Sequence, residues 1–93
     1  MTAKNVICVG CDAHEKTLVN KIAVNREAPV QLNVSGRRSG RQKLIAVLKG
    51  KAQEIGDARI VLAYEASSQG FVLHDELKAA GIECHVLAPT KIE

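Results

Sequence analysis

The chain has no tryptophan, one tyrosine and one phenylalanine. A stacking platform for single-stranded nucleic acid uses several exposed aromatics, so the composition argues against one. The core must instead be built from Val, Ile, Leu and Ala. No apolar run approaches the ~18 residues of a membrane span. The first residues lack the apolar stretch of a signal peptide. A cytoplasmic location with no membrane partner is therefore expected. Three cysteines are an odd count without disulfide-framework spacing, which suits a reducing compartment. There is no Gly-rich phosphate loop, which argues against a sugar-kinase-like ATPase. No repeat, low-complexity tract or linker interrupts the chain.

What is present is the composition of one small globular domain spanning residues 1–93. Thirteen basic against ten acidic residues give a net charge of +3, too mild to indicate nucleic acid by itself. The distribution says more, because Arg37, Arg38, Arg41 and Lys43 crowd into SGRRSGRQK.

Lys4 to Asp12 is almost wholly apolar and reads as a central strand buried on both faces. Thr17 to Val24 (TLVNKIAV) reads as the second arm of a hairpin, with Leu18, Ile22 and Val24 on one side and Val19, Lys21 and Ala23 on the other. Ala13 to Lys16 form the turn. NREAP is a turn cluster, and Val30 to Val34 a short edge strand. From Gly40 to Ile55, the spacing of Leu44, Ile45, Leu48, Ala52 and Ile55 predicts an amphipathic helix. Ser39 or a neighbour would cap it and Gly56 would end it, with Gly50 weakening it by about 1 kcal/mol. Ala58 to Tyr64 (ARIVLAY) reads as a buried parallel strand. A helix capped by Ser67 or Ser68 follows, from about Gln69 to Ala80. Gly81 stops it, and Ile82 to Leu87 is a fifth strand. The order is β-β-β-α-β-α-β.

Two central strands each run into a carboxylate, Asp12 and Glu65. Open α/β sheets gather ligands at the carboxyl ends of their strands. Two anions meeting there repel unless a cation lies between them. Magnesium, or manganese in its place, is the natural choice, because it takes one or two carboxylates plus waters and phosphates. Such a pair is half of a metal site for phosphodiester cleavage. An acid after a strand also serves as a helix cap or loop residue, and the pattern alone does not separate the two.

Two segments carry a resemblance. VGCDAHEKTL resembles the opening "G-[IV]-D-[VA]-H-K-x-T" of insertion-sequence transposases with an Asp-Glu-Asp-Asp (DEDD) site. AYEASSQGFVLHDELKAAGIECHVLAPTKI resembles that family's glutamate block over about thirty residues. The blocks occur in the family's order and together cover nearly the whole chain. The resemblance implies a ribonuclease H-like (RuvC-like) α/β fold, a mixed five-stranded sheet ordered 3-2-1-4-5 with helices packed on it. It also implies that Asp12 and Glu65 are the family's first two acids, catalytic and metal-binding. Family members are DNA recombinases that move insertion sequences, some guided by a structured RNA. The family's third and fourth acids and its serine domain come after the APTKI segment. The expectation is thus the amino-terminal part of a catalytic domain, with weak or no magnesium binding and no cleavage alone. Cys11 and Glu15 depart from the pattern, which has an aliphatic and a basic residue there.

His14 and Lys16 fall in the family's motif and fit contacts to nucleic-acid phosphate; exposed turn positions fit them equally. Arg37, Arg38 and Arg41 before the helix fit phosphate binding, and a solvated Gly/Ser-rich loop fits them too. Cys8 and Cys11 form a CxxC, but i and i+3 on a strand face opposite sides, so buried structural cysteines are expected rather than a metal site. A competing expectation is a non-enzymatic module of ribonuclease H-like fold, one that binds nucleic acid or one that forms homo-oligomers through an exposed sheet surface near Ile82, Val86 and Leu87.

Overall fold

The computed structural model describes residues 4–65 and 70–87. Its elements are β1 (Asn5–Ala13), β2 (Thr17–Val24), β3 (Val30–Ser35), α1 (Arg38–Ile55), β4 (Ala58–Glu65), α2 (Val72–Ala79) and β5 (Glu83–Leu87). The strands form one sheet in the order β3-β2-β1-β4-β5. β1 pairs antiparallel with β2 and parallel with β4. The outer pairs are antiparallel β2–β3 and parallel β4–β5. Element order and sheet order are those expected.

Alternation along the strands decides where the core lies. Ile7, Val9 and Cys11 of β1, Leu18 and Ile22 of β2, and Ile60, Leu62 and Tyr64 of β4 are buried together with Leu44 and Leu48 of α1 and Leu73 and Leu77 of α2. Both helices therefore cover the same face. The intervening residues Cys8, Gly10 and Asp12 are exposed. β1 is thus not buried on both faces, contrary to its near-continuous apolar run. Small residues explain the difference, since Cys8, Gly10 and Ala63 read as apolar while lining an uncovered face. Cys8 is accordingly not the buried cysteine expected, whereas Cys11 and Cys84 are.

α1 begins at Arg38, two residues before Gly40, and Ser39 does not cap it. Instead the Arg37 amide donates to Ser35 Oγ at 3.3 Å. Gly40 is buried against the end of β3, and a Cβ there would overlap the Ser35 carbonyl oxygen. Ile55 is 38% exposed, so the apolar stripe runs out in the last turn. Gly56 ends the helix at φ 73°, a left-handed φ that suits glycine.

α2 is shorter than expected; Ser67, Ser68 and Gln69 lie outside the described residues. Its first turn is served by Tyr64, whose hydroxyl accepts from the His74 amide at 3.2 Å and donates to the Gly70 carbonyl at 2.6 Å. A buried strand residue thus satisfies one of the amides a helix start leaves open. Arg41 Nε donates to Glu76 Oε1 at 2.6 Å and its guanidinium also donates to the Gly36 carbonyl at 3.1 Å, bracing α1 against α2. Ile82, expected near an interface between copies, is 1% exposed and belongs to the core. Leu87 does face outward, half exposed.

Two stability predictions follow from this packing. Gly40→Ala should destabilise the fold by about 1–3 kcal/mol through overpacking. Gly50→Ala, where nothing lies within 4 Å, should stabilise it by about 1 kcal/mol. Urea denaturation of both variants checks this, and equal effects would contradict the Gly40 packing. Separately, burial raises the Cys11 thiol from 9.0 to about 12, helped by the Asp12 charge, and raises Cys84 to about 11. Unfolded thiols lose their protons near pH 9 while these two hold theirs. Stability should therefore be unaffected by them below pH 9 and should fall as pH rises from 9 towards 12. Melting curves across that window measure it. In the native state at pH 8, alkylation followed by mass spectrometry should label Cys8 first.

Candidate active site on the open sheet face

The last aligned pair of β1 and β4 is Cys11 with Tyr64. Asp12 and Glu65 come next on each strand. Neighbouring strands lie about 4.8 Å apart, so the two residues emerge side by side from the uncovered face. Both line a shallow cavity of about 620 Å³, shared with Gly10, Val19, Lys21, Gln31, Ala63 and Leu87. Asp12 Oδ2 lies 3.1 Å from His14 Nε2. His14 is itself fixed at the hairpin by its amide, which donates to the Thr17 carbonyl at 2.9 Å.

Two hard oxygen donors on one face suit magnesium better than zinc or a soft metal. Among the described residues, no group of three or more His, Cys, Asp and Glu gathers to hold a metal. The pair of Asp12 and Glu65 is thus not part of a larger cluster of such residues among those described. Asp75 and Glu76 do not join it, since Asp75 lies 3.3 Å from His74 and Glu76 is held by Arg41.

The cationic candidates gather at the same end of the sheet. The Gly36 amide donates to the Lys16 carbonyl at 2.9 Å, tying the β1–β2 turn to the loop that leads into α1. Lys16 is thereby placed beside Arg37 and Arg38, all three exposed. A groove of about 490 Å³ continues there, lined by Lys16, Thr17, Asn33, Ser35, Ser39 and Lys43. Arg41 stands apart. Its side chain is only 14% exposed and is engaged by Glu76.

Lys21 is the residue of this face that motif reading passes over. Its one signal is position, a lysine in the middle of the otherwise half-apolar strand TLVNKIAV, on the side of Val19 and Ala23. No helix among the described residues is long and apolar enough to cross a membrane.

No protein-family model matches the chain, and no curated protein does. Solved structures do. The large terminase nuclease from thermophilic phage G20c superimposes with a TM-score of 0.54 at 22% identity, over 90% of this chain and 45% of that one. The Aquifex aeolicus Ppx/GppA phosphatase superimposes with a TM-score of 0.52 at 12% identity, over 91% of this chain and 36% of that one. The chain thus spans less than half the length of either protein. At these identities the likeness concerns the fold, and together with the sheet order it establishes a ribonuclease H-like α/β architecture for this chain.

Proposed function

We propose that the chain is the amino-terminal part of a DNA transposase or recombinase catalytic domain, in which Asp12 and Glu65 hold magnesium for phosphodiester cleavage. One observation carries this reading. The two acids that the motifs single out lie far apart in sequence, yet stand on adjacent parallel strands, on one face, in one cavity. The two structural neighbours are named a nuclease and a phosphatase, and both names denote phosphoryl chemistry, which agrees with it.

Bound between the carboxylates, magnesium would supply an activated water or hydroxyl and charge for the leaving oxygen. The residues of the chain have separate tasks. His14 steadies Oδ2 of Asp12. Lys16, Arg37 and Arg38 take backbone phosphates of DNA along the rim, as point charges and as forks respectively. Arg41 positions that rim by holding the Gly36 carbonyl and α2 together. With two carboxylates and no third protein ligand among the described residues, the 93-residue chain alone binds magnesium weakly and does not cleave DNA.

The uncovered face also favours a second reading, an assembly module in which two copies pack through it. A mass that stays at the monomer value across concentration, by light scattering, would remove that alternative.

Calorimetric titration with Mn2+ tests the first reading. Binding should be weak, and Asp12→Asn or Glu65→Gln should reduce it about tenfold or more. Mn2+ binding that both variants leave intact would sink it. The rim is tested by DNA binding against salt: Arg37→Ala with Arg38→Ala should lower the log–log salt slope by about two. Magnesium-dependent nicking by the wild-type chain that disappears in Asp12→Ala would contradict its inactivity alone.

A further inference from the structure

Beneath the carboxylates the open face carries a second row of residues. Reading across the sheet, Gln31 pairs with Lys21, Lys21 with Gly10, Gly10 with Ala63, and Ala63 with His85. The row above it reads Asn33, Val19, Asp12, then Glu65 beside Leu87. Rows on one face are two residues apart along a strand, about 7 Å. The middle of the lower row is a floor without bulk. Gly10 has no side chain, a Cβ added there would meet nothing within 4 Å, and its neighbour Ala63 has only a methyl. Lys21 stands at one side of this floor, next to Gln31, and both line the cavity that holds Asp12 and Glu65.

The Lys21 ammonium has no ion-pair or hydrogen-bond partner among the described residues. The other charged residues of the open face's lower half are differently placed. Arg59 and His85 are both drawn to Glu83, at 2.7 and 3.3 Å. Lys21 contributes nothing to the core, being exposed on the side away from both helices. Val19 and Ala23 flank it on the same face of its strand, and a lysine stem is long enough to carry its charge over the neighbouring floor. From there a diagonal cross-strand neighbour such as Asp12 is about 7–8 Å away between Cβ positions. That distance is too long for a fixed pair at the backbone. It is short enough for one anionic group to touch both the ammonium and a cation held by the acids.

We propose that Lys21, assisted by the Gln31 amide, is a phosphate-binding group of the carboxylate site, holding a non-bridging backbone oxygen of the nucleic acid over the Gly10–Ala63 floor. The inference rests on the reading of Asp12 and Glu65 as a phosphodiester site and adds the group that seats the strand. A compact ammonium with three donors suits an oxygen that also faces a metal, where a guanidinium fork would need more room. The floor explains why small residues stand below the acids. A side chain at Gly10 would occupy the space the backbone needs.

The test uses the full 93-residue chain, a short fluorescein-labelled DNA and Mn2+ as probes. DNA binding is followed by anisotropy against KCl concentration, once in EDTA and once with Mn2+. Lys21→Ala and Lys21→Gln should weaken binding by about 3- to 10-fold at low salt and lower the log–log salt slope by about one. Lys21→Arg should recover only part of the loss, because the charge returns but the larger fork fits the oxygen less well. Gly10→Val should weaken binding with Lys21 in place, while circular dichroism shows the sheet retained. Mn2+ affinity should not fall in Lys21→Ala, because a nearby positive charge has been removed. Unchanged DNA affinity and slope in Lys21→Ala would overturn the proposal, and tighter Mn2+ binding beside it would make Lys21 a counter-ion of the acids. The EDTA arm judges Lys21 with no metal in play. A wild-type chain that fails to bind Mn2+ would therefore end the metal reading, while the EDTA arm still decides the role of Lys21.

Discussion

Parallel hydrogen bonding between β1 and β4, in the register that sets Cys11 against Tyr64, governs the rest of this structure. The register is held by the core, not by the acids. Ile7 against Ile60 and Val9 against Leu62 meet α1 and α2 on the covered face. A slip of one residue on either strand would turn that strand's apolar set to solvent and its carboxylate into the core. The hydrophobic alternation that stabilises the sheet therefore also delivers Asp12 and Glu65 to one spot. A buried apolar pattern and an exposed acidic pair are two faces of the same strands.

The one-sided covering gives the molecule its division of labour. The helix face holds the stability, and two of its polar side chains brace the frame. Tyr64 links the end of β4 to the first turn of α2, and Arg41 joins α1, α2 and the Gly36 loop. The open face and its rim hold the charges of the candidate site. Acids stand at the carboxyl ends of the central strands, Lys21 stands one row below, and Lys16, Arg37 and Arg38 lie along the neighbouring rim. Negative charge at the centre with positive charge beside it suits a polyanion brought to a divalent cation.

Much of this was legible from periodicity and punctuation. β2 emerged with the bounds and the sidedness expected, because TLVNKIAV sets Leu18 and Ile22 on one side and Lys21 on the other and a turn precedes it, although Asn20 is buried with the apolar set. Gly56 and Gly81 mark helix ends, both at positive φ. The adjacency of Asp12 and Glu65 came from the resemblance and from the sheet order it implies. Three things were not legible. The open face of β1 was hidden because Cys8 and Gly10 count as apolar while being too small to need a covering layer. The start of α1 was set by the contact of Gly40 with Ser35, and the first turn of α2 is served by Tyr64; both are tertiary contacts with no local signature. Arg41 looks like its neighbours in SGRRSGRQK, and its difference depends on Glu76, which only folding brings near.

The central claim is that the paired strand ends form a two-carboxylate metal position. Its most direct measurement is a crystal of the chain soaked in Mn2+ and recorded at the manganese absorption edge. The account predicts an anomalous peak on the open face bonded to both Asp12 and Glu65 at about 2.1 Å, with water completing the shell. Manganese found elsewhere at high occupancy with this position empty, or Asp12 and Glu65 turned away from each other, would contradict it.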